Sequence, residues 1–211
     1  NFMKKQATAS LLCEAAGVDI VPVDIGVAVD TSVINRKIAY GTKNMTKGPA
    51  MSRAQAAEAI ETGISIVEGL KEKGYQILAT GEMGIGNTTT SSAVASVLMH
   101  LPVEEVTGRG AGLSSAGLDR KIRAIKRAIQ VNQPDPRDPV DVLAKVGGLD
   151  LAGLTGVFLG GAACGVPVVI DGFISAVAAL CAVSLCSLAR EYMLASHVSK
   201  EPAARQVLES L

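Results

Sequence analysis

Residues 81–90 read GEMGIGNTTT and join an apolar segment, YQILAT, to a helical pattern, TTTSSAVASVLMH. A glycine-rich turn between a strand and a helix leaves backbone N–H groups free to face an anion, and the helix dipole adds partial positive charge. The stretch fits the phosphate-loop pattern G-x-x-x-x-G-K-[ST] except that Asn87 stands in place of the lysine. Because that lysine reaches the outer phosphates of a triphosphate, the sequence favours a site for a monophosphate over a nucleoside triphosphatase.

Helical patterns alternate with short apolar segments along the chain. Helices are predicted over ATASLLCEAAGVD, which Gly17 closes, and over SRAQAAEAIETGISIVEGLKEK, which Ser52 and Gln55 open as a capping box. Strands are predicted from Ile20 to Ile25, over YQILAT and over VPVVID, whereas NRKIAYGTKNMTKGPA predicts a loop. The alternation predicts an open, mainly parallel α/β sheet flanked by helices.

The most apolar stretch, from Leu151 to Ala189, carries a single charged residue, Asp171, and resembles a membrane segment. Pro167 and Gly172 interrupt it, so a buried strand between two core helices is the better interpretation. Twenty basic residues balance twenty acidic ones, and three Tyr, three Phe and no Trp offer few stacking surfaces, which argues against nucleic acid. Four cysteines without a C-x-x-C pair predict reduced thiols and a cytoplasmic protein, and two histidines argue against a metal site.

Three acidic residues, Asp24, Glu82 and Asp171, lie at or just past the ends of predicted strands. Ligands of open α/β sheets bind outside the carboxyl ends of the strands, so the three carboxylates are predicted to share one crevice. Glu82 beside an anion site requires a positive group, such as a cationic ring or a lysine. The alternative for Glu82 is a first-turn helix carboxylate that is only stabilised by the helix dipole, and the alternative for Asp171 is a helix N-cap.

A second glycine-rich turn, TGRGAGL, precedes Ser114 and the amphipathic helix AGLDRKIRAIKRAIQVN. Arg109, between its glycines, is suited to bind a phosphate or carboxylate through two hydrogen bonds, although a lone loop arginine is often only solvated. The first turn has a simpler interpretation too, as a tight turn that Asn87 caps. Most of the basic cluster on the helix is predicted to be a solvated face, with one or two members facing a pocket; its members are Arg120, Lys121, Arg123, Lys126 and Arg127.

GEMGIGNTTT occurs together with GTKNMTKGPAMSRAQAAEAI, TGRGAGLSSAGLDRKI, VVIDGFISAVAAL and HVSKEPAARQVL. With these five blocks in this order, the chain resembles, over essentially its whole length, the nicotinate-nucleotide:dimethylbenzimidazole phosphoribosyltransferases of cobalamin biosynthesis. The resemblance implies a Rossmann-like α/β domain, a smaller helical domain and a homodimer. It also implies transfer of the phosphoribosyl group from nicotinate mononucleotide to 5,6-dimethylbenzimidazole, with inversion at the anomeric carbon, giving nicotinate and α-ribazole 5′-phosphate.

The resemblance also assigns site residues. Glu82 and Lys121 look like a catalytic charged pair near the nucleotide. The substrate-binding residues that it implies are Gly84, Gly86, Asn87, Thr88, Arg109, Asp171, Gly172 and Ser199. No metal and no cofactor are expected. The acceptor base stays open among benzimidazole-type bases, adenine and phenols, because apolar pockets discriminate weakly between near-isosteres.

The resemblance predicts residues 1–190 as the large nucleotide-binding domain, following an N-terminal region that is missing, and residues 191–211 as the start of a truncated part of the small helical domain. It places the general base, a glutamate in a glycine-rich block, beyond Leu211. The chain is therefore expected to hold the nucleotide site without the complete benzimidazole site. The alternative function is a catalytically impaired or non-catalytic mononucleotide-binding fragment or paralogue.

Overall fold

The structure, a computed structural model, describes residues 6–211 and divides the chain after Gly41 into an N-terminal unit and a larger unit, Thr42–Leu211. The first five residues of the predicted large domain lie outside the described part. In the N-terminal unit, helix α1 (Thr8–Ala16) ends at Gly17, whose φ of +66° only glycine adopts without strain. The predicted closure of this helix is confirmed.

Two short parallel strands, β1 (Val23–Asp24) and β2 (Ile34–Asn35), complete the N-terminal unit. The predicted strand from Ile20 to Ile25 is therefore too long, and β2 was not predicted. Only two residues of each strand pair, because the chain bends directly after β1, where the Asp24 carboxylate accepts from the Gly26 and Val27 N–H groups. Such a short pairing leaves no alternation pattern in the sequence.

The larger unit contains the remaining elements. They are α2 (Arg53–Glu72), β3 (Leu78–Ala79), α3 (Thr88–Leu98), α4 (Val103–Val106), α5 (Ser115–Asn132), α6 (Pro139–Val146), α7 (Leu149–Cys164), β4 (Val168–Ile170), α8 (Phe173–Leu185), a 3-10 helix (Ser187–Tyr192), β5 (Met193–Ala195) and α9 (Ala204–Glu209). The Ser52–Gln55 capping box is present, with Gln55 N–H donating to Ser52 Oγ at 3.1 Å. Asp138 likewise caps α6, with its carboxylate accepting from Val140 N–H at 3.1 Å.

Strands β3, β4 and β5 form a parallel sheet in that order. Leu78 pairs with Val168, and Val168 pairs with Met193, so the carboxyl ends of the three strands lie at one edge. Helices and parallel strands alternate, which confirms the predicted α/β class. Strand β5 was not predicted, since its three residues are too few to leave an alternation pattern.

Helices α2 and α7 pack backbone to backbone through glycines. A Cβ atom on Gly63 would overlap the Gly153 carbonyl, and one on Gly156 would overlap the Ile60 carbonyl. A Cβ on Gly160 would lie 3.0 Å from the Val67 Cβ. At these three positions, no residue larger than glycine fits. The relative position of the two helices is therefore fixed by close backbone contact.

The apolar stretch from Leu151 to Ala189 is core, as predicted. Most residues of α7 and of α8 are buried. Within residues 6–211, no helix has both the length and the hydrophobicity needed to cross a bilayer. Burial raises the pKa of the Cys181 thiol to about 12, so this cysteine is unreactive.

Candidate functional site

The carboxyl edge of the β3–β4–β5 sheet brings together three of the sequence blocks. Glu82 follows β3, Asp171 follows β4 and Ser199 follows β5. The Thr80 hydroxyl accepts from the Asp171 backbone N–H at 3.3 Å, which ties the first two strand ends to each other. This is the edge at which parallel α/β sheets bind ligands.

The first glycine turn, residues 81–87, runs from β3 to the N-terminus of α3. Gly86 has a φ of +90°, and Asn87 N–H donates to the Gly84 carbonyl at 3.0 Å. Among residues 6–211, no group accepts from the backbone N–H of Gly86 or Thr88. These free donors at a helix N-terminus are suited to bind an anion.

Two carboxylates, Glu82 and Asp150, form hydrogen bonds with residues of this turn. Glu82 Oε2 accepts from Gly84 N–H at 2.9 Å and from Asn87 Nδ2 at 2.5 Å. The same Asn87 nitrogen donates to Asp150 Oδ2 at 2.7 Å, from the first turn of α7. Two carboxylates therefore lie beside the turn, and their joint negative potential favours a cationic group.

Lys121 supplies a positive charge beside the start of α3. It is buried, with 7% of its surface exposed, whereas the other members of the basic cluster, Arg120, Arg123, Lys126 and Arg127, are exposed. Its Nζ donates to Thr88 Oγ1 at 2.8 Å and to the Gly108 carbonyl at 3.0 Å. Burial lowers the pKa of Lys121, and the charge of Glu201 partly opposes that effect. The prediction that one or two members of this cluster face inward is confirmed.

The second glycine turn, residues 107–113, packs against Lys121 and the first turn. A Cβ on Gly110, whose φ is +52°, would lie 2.8 Å from Thr88 Oγ1 and 3.7 Å from Lys121 Nζ. Gly108 approaches the C-terminal segment so closely that a Cβ there would overlap Glu201 Oε2. This oxygen is buried and has no hydrogen-bond partner among the described residues. The second turn thus connects Lys121 to the segment that follows β5.

Arg109 turns back onto its own loop. Its guanidinium donates to the Leu113 carbonyl at 2.7 Å and to Ser115 Oγ at 3.1 Å, and the side chain is exposed. The phosphate-binding role that the sequence suggests for Arg109 remains a prediction. In the structure, the arginine closes the second turn.

Asp171, Gly172 and Ser199 lie at the sheet edge. Asp171 is exposed, and Gly172 is the N-cap of α8 without a side-chain cap hydrogen bond, so Asp171 is not the N-cap. Ser199 Oγ accepts from Glu201 N–H at 3.3 Å. These residues are placed near the carboxyl ends of the strands, and no contact among the described residues joins them directly to Lys121.

Asp24, the third strand-end carboxylate, belongs to the N-terminal unit, where its hydrogen bonds are satisfied. It is 1% exposed and accepts from Lys37 Nζ at 2.8 Å, Thr31 Oγ1 at 2.7 Å and Val27 N–H at 2.9 Å. Burial raises its pKa, but these hydrogen bonds and the Lys37 charge outweigh burial, so the pKa is lowered overall. A carboxylate held in this way is a poor proton acceptor.

Two members of the network, Asp150 and Glu201, were missed by sequence reasoning. Asp150 reads as an ordinary first-turn carboxylate of α7, and Glu201 lies in a polar segment without periodicity. A usable signal for Asp150 was available, since Gly147 and Gly148 lie three and two residues before it and glycine pairs often mark close backbone approach. No group of metal-ligating side chains occurs within residues 6–211.

A parallel sheet that alternates with helices and has a glycine turn at its carboxyl edge defines an α/β protein of the class that binds ligands at this edge. Residues 1–211 match a family model described as phosphoribosyltransferase, and the chain belongs to this family. It is 56% identical over 214 residues to the nicotinate-nucleotide–dimethylbenzimidazole phosphoribosyltransferase of Ruminiclostridium cellulolyticum, and 53% identical to that of Acetivibrio thermocellus.

Both alignments cover 100% of this chain and 61% of the relative, so the chain spans less than two thirds of the length of these curated relatives. The solved structure of CobT from Thermus thermophilus superposes with a TM-score of 0.93 at 35% identity, covering 100% of this chain and 64% of that one. A solved nicotinate-nucleotide–dimethylbenzimidazole phosphoribosyltransferase from the same organism gives a TM-score of 0.92.

Proposed function

We propose that this chain forms the nucleotide site of a phosphoribosyltransferase that moves the 5-phosphoribosyl group of nicotinate mononucleotide to 5,6-dimethylbenzimidazole. The observation that carries the proposal is that both signs of charge lie beside the first turn: buried Lys121 bonds to Thr88, directly after the turn, and two carboxylates bond to Asn87. Nicotinate mononucleotide has the complementary arrangement, with a phosphate at one end and a cationic pyridinium at the other. The relatives with these substrates in their names support the choice.

The phosphate would bind between Lys121 and the start of α3. An ammonium group has three N–H donors, and Lys121 uses two of them on Thr88 and Gly108. Thr88 Oγ1 accepts from Lys121, so its own hydroxyl hydrogen is free to donate to a phosphate oxygen. Together with the backbone N–H groups of Gly86 and Thr88, these donors match an acceptor-only ligand.

The ring would lie on the side of Glu82. A pyridinium leaves C1 of the ribose readily because it departs as a neutral base. Holding the sugar for attack from the opposite face then supplies much of the rate, and a base must remove the proton of the attacking azole. Glu82 and Asp150 are both hydrogen-bonded to Asn87, so we assign them to binding and leave the base to the glutamate that the family resemblance places beyond Leu211.

The test uses the protein extended to the length of its relatives. Nicotinate release is followed with nicotinate mononucleotide and dimethylbenzimidazole as substrates, with EDTA present because no metal or cofactor is expected. Turnover by the extended protein together with poor or no turnover by residues 1–211 is the expected result. Absence of transfer in the extended protein overturns the proposal, and normal turnover by residues 1–211 overturns the assignment of the base.

A second candidate is binding of a mononucleotide without transfer. The observation that favours it is that Glu82 and Asp150 are already engaged by Asn87 and so are poorly placed to act as bases. Calorimetric titration separates the two functions, since this candidate binds nicotinate mononucleotide and releases no nicotinate when dimethylbenzimidazole is added.

We further propose a homodimer in the cytoplasm. The four cysteines are all unpaired, in keeping with a reducing compartment. The homodimer rests on the family resemblance. Sedimentation velocity of the extended protein at micromolar concentration tests it, and a single monomeric species contradicts it.

A further inference from the structure

The side-chain amide of Asn87 links the first glycine turn to helix α7. Its Nδ2 donates to Glu82 Oε2 at 2.5 Å and to Asp150 Oδ2 at 2.7 Å. A primary amide has two N–H donors, so both are used. Asn87 therefore has no side-chain donor left for a ligand.

The two carboxylates also determine which way this amide faces. Carboxylates only accept hydrogen bonds, so an Asn87 carbonyl turned toward them would be repelled. Oδ1 must point away from Glu82 and Asp150. Among residues 6–211, no group donates to Oδ1, and Oδ1 is not among the buried atoms that lack a partner. This oxygen is therefore an exposed acceptor beside the proposed nucleotide site.

Asp150 is held in place by close packing. A Cβ on Gly84 would lie 2.5 Å from Asn87 Nδ2 and 2.6 Å from Asp150 Oδ2, and one on Gly148 would overlap Asp150 Oδ1. Asp150 also lies in the first turn of α7, where the helix dipole favours a carboxylate. Because α7 is fixed against α2 by glycine contacts, Asp150 is a rigid support for Asn87.

We propose that Asp150 is a positioning residue that orients the Asn87 amide so that Asn87 Oδ1 accepts a hydrogen bond from a ribose hydroxyl. The identity of the ligand rests on the proposed function. A phosphate oxygen at physiological pH carries no proton to donate, so an acceptor at this position selects for sugar and against phosphate. Asn87 is thus a ribose residue, and the phosphate is left to Lys121, Thr88 and the backbone.

The experiment compares the extended wild-type protein with Asp150→Ala, Asp150→Asn and the control Asp119→Ala, an exposed acidic residue on α5. Two quantities are measured: hydrogen exchange of the Asn87 side-chain amide by NMR, and affinity for nicotinate mononucleotide and its 2′-deoxy and 3′-deoxy analogues. Circular dichroism checks that each variant is folded.

In the wild type, we expect slow exchange of both Asn87 side-chain protons and weaker binding of the deoxy analogue that lacks the bonded hydroxyl. Asp150→Ala should speed exchange of one proton, weaken nucleotide binding about 10-fold to 100-fold and bring the affinities for the ribose and deoxyribose forms close together. Asp150→Asn keeps one acceptor oxygen but loses the negative charge and the second oxygen. The loss of nucleotide affinity should therefore stay below about tenfold. Asp119→Ala should resemble the wild type.

Unchanged sugar preference in Asp150→Ala overturns the proposal, as does fast exchange of both Asn87 protons in the wild type. If the wild type binds no nicotinate mononucleotide, the proposed function fails and the ribose assignment fails with it. In that case, the exchange measurement still decides whether Asp150 holds Asn87, so the two failures are distinguishable.

Discussion

The two glycine turns have similar sequences and different electrostatic surroundings. The first, residues 81–87, contacts two carboxylates through Asn87, and the second, residues 107–113, contacts the buried ammonium of Lys121. In each turn, glycine is required because a neighbouring group occupies the space of a side chain, as at Gly84 and Gly110. The difference shows that a glycine turn allows close approach, and that the side chains packed against it set the local charge.

The largest expected effect comes from removing the cation. Lys121→Met should weaken nicotinate mononucleotide binding by about 100-fold or more, since a desolvated charge pair with phosphate is lost. The melting temperature should change little, because relief of a buried charge is offset by the unpaired Gly108 carbonyl. Titration calorimetry and thermal melts measure both quantities. Lys126→Met, at an exposed position on the same helix, is the control, and equal losses in the two variants would contradict the assignment.

A pH dependence follows from the same lysine. Burial lowers the pKa of Lys121, so it loses its proton at a lower pH than an ordinary lysine as the pH rises. Above that pKa, affinity should fall about tenfold per pH unit, because one proton is linked to binding. Lys121→Arg should remove the fall, since arginine stays protonated. If the wild type and Lys121→Arg both lose nucleotide affinity over the same alkaline pH range, a group other than Lys121 titrates.

The carboxylate side is tested with Glu82→Gln. The amide keeps an acceptor for Asn87 but removes one negative charge, so nicotinate mononucleotide should bind and react about tenfold less well. Ribose 5-phosphate, which lacks the cationic ring, should bind equally to both proteins, whereas Lys121→Met should weaken both ligands. Equal activity of wild type and variant would contradict the role of Glu82.

A smaller effect is expected from adding one methyl group to each turn. Gly110→Ala crowds Thr88, and Gly84→Ala crowds Asn87 and Asp150, so each should reduce affinity about fivefold while costing about 1 kcal/mol in stability. Gly112→Ala shares the positive φ of Gly110 but meets no atom within 4 Å, so it is the control for Gly110→Ala. It should lose a similar amount of stability and no affinity. Loss of affinity in that control would mean that backbone strain alone explains the result.

The smallest effect should come from Arg109→Ala. Because the guanidinium bonds its own loop and is exposed, we expect nucleotide affinity to change less than about threefold, the scale of a surface hydrogen bond. Competitive binding against the wild type measures it. A loss comparable to that of Lys121→Met would instead support the phosphate-binding role suggested by the sequence.

Local patterns predicted much of the fold. The Ser52 capping box and the Gly17 stop depend only on neighbouring residues, and both are present. Strands β2 and β5 were missed because two or three paired residues leave no periodicity. Their pairing is decided by tertiary contacts.

The first glycine turn was predicted from its own residues, as at Gly84 and Asn87, whereas their substrate-binding role stays a prediction. Asp150 was missed because 63 positions of sequence separate it from Asn87, to which it bonds. Glu201 was missed because it meets the second turn only by packing against Gly108. Contacts of this kind depend on how whole helices are placed, and no spacing in the sequence encodes them.

Because α2 and α7 contact each other through glycines, a substitution in the middle of the core would change the position of the Asp150 carboxylate. Gly156 lies six residues, or about 9 Å along the axis, from Asp150 on the same rigid helix. A methyl group at Gly156 would push α7 away from the Ile60 carbonyl, and the helix would carry Asp150 with it. The alignment of the ligand site is therefore sensitive to substitutions at uncharged positions that touch neither ligand nor solvent.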